Sequence, residues 1–258
     1  MIDQMEQQHI PDLYSLRKAI THDNQNYWIE RLVNELPLFI AKAKDSVYPR
    51  NRHFNLDSFF CGPRYGIRSR SEAEWEGWCI LKWSIRHGVK SPKPVRNSWH
   101  RLVARQVPLE PPDRRNLLTA DLVGISEDGF PVIVELKKHT KQAPILGVIL
   151  QALVYGIRLK QSWPYFFEEW REALSKYNWP TVQSQPHRIY LVCAAPSDYW
   201  KHERSSRFAP DLKLCVELKK ALDSCGFPLS FVSLSTRTVN KVSFRVVAKP
   251  VDFIPAIF

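Results

Sequence analysis

Long apolar runs are missing from this 258-residue chain, and their absence bounds the reading first. No stretch reaches the roughly 20 residues that a membrane-spanning helix needs. The opening Met1-Ile2-Asp3-Gln4 has neither the basic nor the apolar region of a secretory signal, so a cytoplasmic protein without a membrane partner is expected. Glycine is scarce, at 9 residues, and neither a Walker loop nor GxGxxG occurs, which argues against an enzyme of small phosphorylated metabolites. Five cysteines, Cys61, Cys79, Cys193, Cys215 and Cys225, are odd in number and form no CxxC; neither a disulfide framework nor a zinc site is indicated. Internal repeats and low-complexity linkers are also absent, so one compact unit is expected.

Positive charge is plentiful. With 37 Lys+Arg against 26 Asp+Glu the formal charge is +11 and the pI about 9.5, which suits a polyanionic partner such as nucleic acid. Between Arg86 and Arg115 lie Lys90, Lys93, Arg96, Arg101 and Arg105 against only Glu110 and Asp113. Trp99 and His100 in the same stretch offer rings for stacking on unpaired bases. Lys138 and Lys141 are further candidate contacts, and Arg237, Lys241, Arg245 and Lys249 form a second basic strip. A solvated surface explains either strip equally well.

The most specific pattern is acidic. Ala120-Asp121-Leu122-Val123-Gly124-Ile125 and Phe130-Pro131-Val132-Ile133-Val134-Glu135-Leu136-Lys137 read as two strands joined through Ser126-Glu127-Asp128-Gly129, whose Asp-Gly is a hairpin signal. If the loop is residues 127 to 129, Asp121 falls opposite Glu135, and strand alternation puts Lys137 on their face. A two-residue loop would instead send the two acids to opposite faces. Facing carboxylates repel, and a shared proton or a divalent cation between them relieves this; oxygen donors suit Mg2+ or Mn2+. The apolar run Val132-Ile133-Val134 suggests a strand covered on both sides, where charges on a merely wet face would be out of place.

This D…ExK arrangement resembles the PD-(D/E)xK nuclease superfamily, whose fold is that of the restriction endonucleases, over roughly residues 69 to 236. The resemblance implies an α/β fold with an αβββαβ core, a mixed central sheet flanked by helices. Residues 70 to 87 read as a helix opened by the capping box Ser69 and Glu72 and closed by Gly88. Residues 100 to 108, 117 to 125 and 130 to 137 read as a meander. Thr140 to Lys160 read as a helix, His187 to Ala195 as a strand, Asp211 to Cys225 as a helix and Pro228 to Ser235 as a strand. Gln151-Ala152-Leu153-Val154-Tyr155 is similar to the QxxxY motif of the RecB-like branch, and its i,i+4 spacing puts Gln151 and Tyr155 on one helical face. The same spacing fits a buried core pair.

The resemblance implies a metal-dependent phosphodiesterase acting on nucleic acid, DNA before RNA, in repair or phage defence. Asp121, Glu135, the carbonyl of Leu136 and a helix acid would hold Mg2+ or Mn2+, with Lys137, Gln151 and Tyr155 completing the catalytic set. Glu76 is the preferred helix acid, because it shares a stripe with Cys79, Ile80 and Trp83; Glu72 is second and fits a helix-dipole role. The cysteines do not match the iron-sulfur spacing of some RecB-like nucleases. The alternative function is a non-catalytic nucleic-acid-binding or scaffold protein on the same fold. Residues 1 to 65 form an expected N-terminal helical extension, with helices near Pro11 to Ile20 and Asn24 to Lys44, available to a protein partner or a second copy. The nuclease-like domain then spans 66 to 258. Its aromatic-rich insertion at 161 to 186 reads as packing rather than a stacking platform.

Overall fold

A computed structural model describes residues 10–45, 75–77, 79–80, 101–109, 118–137, 143–175, 182–205, 209–240 and 243–250. Six strands form one mixed sheet in the order β1-β2-β3-β4-β5-β6: β1 Arg101–Pro108, β2 Thr119–Ile125, β3 Pro131–Leu136, β4 Tyr190–Pro196, β5 Leu229–Asn240 and β6 Ser243–Pro250. The first three strands make the expected antiparallel meander, β3, β4 and β5 run parallel, and β6 returns antiparallel. Parallel neighbours need a crossover, and helices supply both. Helices α3 Ile145–Gln161 and α4 Trp163–Ser175 lie between β3 and β4, and α5 Ser197–Ser205 and α6 Leu212–Ser224 between β4 and β5. The architecture is therefore α/β, a mixed sheet flanked by helices.

Strand alternation divides the core. Ile133, Leu191, Cys193 and Phe231 face the helices α3 and α6, whereas Val132, Val134, Leu136, Val192, Ala194 and Leu234 face Cys79 and Ile80, which lie in the helical residues 75–77 and 79–80. Helix α3 is buried along most of its length, as an all-round apolar helix must be. The sheet covers one side. The other is covered by the N-terminal helices α1 Leu13–Ala19 and α2 Gln25–Asp45, whose Leu13, Leu16, Ile29 and Leu32 belong to the same core as α3.

Three elements differ from the sequence reading. Helix α3 starts at Ile145 rather than Thr140, because Pro144, extended at ψ 157°, supplies neither a helical ψ nor a side-chain cap. Part of the aromatic insertion is α4, in which Trp163, Phe166 and Trp170 pack edge to face inside the core. Strand β5 continues to Asn240 and pairs antiparallel with β6, so Arg237, Arg245 and Lys249 of the second basic strip lie on paired strands; their side chains, and Lys241, are outside the described residues. Most of residues 70 to 87, expected as a helix, also lies outside them. Among the described residues, no helix is long and apolar enough to cross a membrane.

Two glycines allow close approach. At Gly156 an added Cβ would stand 2.9 Å from Leu191 Cδ2, so a side chain there would force Leu191 or α3 to shift. Gly226 adopts φ 82° just after α6, where its N–H bonds to Asp223 at 2.9 Å and its carbonyl accepts from Ile189 at 2.9 Å. An added Cβ would meet the His187 carbonyl at 2.4 Å. Gly226→Ala is expected to cost more than about 1 kcal/mol, read as a lowered urea midpoint; an unchanged midpoint would contradict this close packing.

Candidate active site

The β2–β3 hairpin closes through a three-residue loop. Ser126 N–H bonds to the Phe130 carbonyl at 2.8 Å, Gly129 N–H to the Ser126 carbonyl at 3.1 Å, and Gly129 takes φ 84°. That left-handed residue is what such a loop requires. The ladder then runs Ile125 with Pro131, Gly124 with Val132, Val123 with Ile133 and Leu122 with Val134. One step further, the same register brings Asp121 to Glu135. Here the strands part: the Leu136 amide donates to the Asp121 carboxylate at 2.9 Å instead of to a main-chain carbonyl of β2.

Both acids are almost out of water, Glu135 at 0% and Asp121 at 8% exposure, and Glu135 is close enough to act on the Asp121 carboxyl. Burial pushes the Asp121 carboxyl above the usual range, against the pull of the Lys137 ammonium, the Leu136 amide, Glu135 and Gln106. The Lys137 ammonium donates to Glu135 and reaches Gln151 Oε1 at 3.4 Å. Gln151 in turn donates from Nε2 to the Tyr155 hydroxyl at 2.8 Å. Burial first, then the charges of Glu135 and Asp121, raises the Tyr155 phenol well above its ordinary value, so it stays protonated. The five residues Asp121, Glu135, Lys137, Gln151 and Tyr155 thus form one connected cluster.

Glu76 is buried but stands one residue removed. Its carboxylate accepts from Gln106 Nε2 at 2.9 Å, and Gln106 is itself hydrogen-bonded to Asp121. The Thr119 hydroxyl lies 3.5 Å from Gln106 Oε1. Gln106 has φ 50°, the positive-φ non-glycine among the described residues, and such conformations persist where the surroundings over-determine them. Nothing in the alternation of β1 marks this residue in advance. Arg17 was also missed: α1 packs on α3, and the half-buried guanidinium is close enough to favour the ionised form of Tyr155. Cys193 lies beside Glu135 in the β3–β4 register, and burial together with that acid keeps its thiol protonated.

The basic residues are less fully placed. Arg105 is half-buried on β1, and Arg101 opens that strand with its side chain outside the described residues. Lys90, Lys93, Arg96, Lys138 and Lys141 lie outside them as well. As a donor set, Asp121 and Glu135, with the nearby Leu136 backbone, offer oxygens alone and a net negative charge, which fits Mg2+ or Mn2+.

A raised carboxyl pKa has a definite sign. The folded chain holds the Asp121 proton more tightly than the unfolded one, so stability falls as pH rises above about 4. In chelator, Asp121→Asn is expected to be more stable than wild type at pH 7 and to lose that advantage near pH 4, read by urea unfolding at both pH values. A variant less stable at pH 7 would contradict the burial argument. Comparison of the chain with protein-family models, with curated proteins and with solved structures finds no match, so the cluster stands on its geometry alone.

Proposed function

We propose that this protein is a metal-dependent nuclease, hydrolysing phosphodiester bonds of nucleic acid, DNA before RNA, on a restriction-endonuclease-like fold. The observation that carries the reading is the convergence of Asp121, Glu135 and Lys137 with Gln151 and Tyr155 from α3. Structural ion pairs on a sheet do not need a second acid buried against the first.

Asp121 and Glu135, with the Leu136 carbonyl, would hold Mg2+ or Mn2+, and Glu76 acts on them through Gln106. The bound cation would polarise the scissile phosphate and acidify an attacking water. Lys137 supplies positive charge beside that oxygen set, where negative charge builds up on the phosphorane. Gln151 holds the ammonium from its carbonyl side while its amide fixes the Tyr155 oxygen, leaving the phenol proton to donate to a phosphate or water. The excess of Lys and Arg in the chain suits a polyanionic partner, and Arg17 on the neighbouring helix adds positive charge near Tyr155.

The test is cleavage of labelled linear, circular and single-stranded DNA and of RNA with Mg2+, Mn2+ or EDTA. Wild type is expected to give metal-dependent products. Lys137→Ala should lower the rate by about 100-fold or more while binding persists. Binding without cleavage under every condition would favour a non-catalytic nucleic-acid-binding protein.

A further inference from the structure

A second polar cluster lies about 9 Å or more along α3 from Gln151, counted from Ile145 at 1.5 Å per residue. His22 sits in the turn between α1 and α2, and His202 and Glu203 lie on α5. The His22 Nε2 is 3.0 Å from Glu203 Oε1, and the His202 Nδ1 is 3.4 Å from the same oxygen. All three candidate ligand atoms lie within 4.8 Å of one another. In a tetrahedral site with metal–ligand bonds of about 2.0–2.1 Å, ligand atoms stand about 3.3–3.4 Å apart, so this convergence needs little adjustment to hold an ion.

The carboxylate is set up for that task. Glu203 is 0% exposed, and its other oxygen, Oε2, accepts the Ile145 amide at 3.0 Å. It therefore caps the first turn of α3, which Pro144 leaves without a side-chain cap. An amide bond of this kind fixes the direction of a ligand carboxylate. The turn carrying His22 is pinned in its own right: Thr21 N–H bonds to Asn24 Oδ1 at 2.8 Å, and Asn24 Nδ2 to the Ala19 carbonyl at 3.0 Å. The imidazoles are partly open, His202 at 46% and His22 at 27% exposure, which gives an ion an entry path and a water its place as fourth ligand.

We propose that His22, His202 and Glu203 bind one Zn2+ ion. Two imidazoles and one carboxylate are the donors of a borderline-soft transition metal, whereas Mg2+ favours oxygen alone. The ion joins two segments distant in sequence, the α1–α2 turn and α5, and through the Glu203 bond to Ile145 it clamps the N-terminal helices onto the helix that bears Gln151 and Tyr155. This inference does not rest on the nuclease reading.

The full-length chain is stripped with chelator, exposed to Zn2+ and desalted, and the retained zinc is counted for wild type, His202→Ala and His22→Ala. His202 is exposed, so its replacement leaves the fold intact. Wild type is expected to retain one more Zn2+ per chain than either variant, and Zn2+ should raise the thermal midpoint of wild type but of neither variant. Asp121→Asn should keep the additional ion, which separates this site from the carboxylate pair. Equal retention by wild type and His202→Ala would overturn the proposal and leave the cluster as a hydrogen-bonded clasp.

Discussion

Two carboxylates forced together beneath an apolar helix set the terms for the rest of this molecule. Unit charges about 4 Å apart repel by roughly 4 kcal/mol at an effective dielectric constant near 20, and burial adds the loss of hydration. Asp121 and Glu135 meet this with the Leu136 amide, the Lys137 ammonium and the nearby Gln106 amide. Each of those partners requires an exact local arrangement. The ladder between β2 and β3 must open after Leu122 and Val134, and Gln106 must take a positive φ. Such concentrated expense of stability is characteristic of sites that do chemistry.

The helices make the arrangement rigid. Gly156 lets α3 sit close on Leu191 and Phe227, which fixes the height of Gln151 and Tyr155 above β3. Because α3 is apolar on nearly every side, the sheet alone cannot cover it, and α1 and α2 are part of its shelter. The N-terminal segment, read in the sequence as an extension, thus shares its core with the rest of the chain. Glu203 ties α5 to the start of α3 and to His22, so the turn between α1 and α2 is anchored by polar contacts.

What could be read from the sequence was local. Asp-Gly at 128–129 marked the turn but left its loop at two or three residues; the three-residue loop of the structure is what sets Asp121 facing Glu135. The apolar stretch of α3 and the extent of α6, expected from Asp211 to Cys225, were legible for the same reason; the cap itself, with the Asp211 carboxylate accepting from Lys213 at 2.8 Å, is a finding of the structure. Gln106 was not, because its role depends on a bulged strand and on partners at positions 76 and 121. The His22–Glu203 contact spans 181 positions and obeys no ligand spacing, so no motif announces it. Helix α4 was hidden by its aromatic content, which reads as packing without revealing period. β6 was hidden because its polar and basic positions read as a charged strip.

The central claim, that the buried acid pair is built for a divalent cation, is tested most directly by calorimetric titration of the chelator-treated protein with Mg2+, an ion poorly suited to the imidazole cluster. The account predicts saturable binding by wild type that is lost in Asp121→Asn and in Glu135→Gln, with protons released as Asp121 ionises. Folded wild type that binds no Mg2+, or binding unchanged by both substitutions, would contradict it.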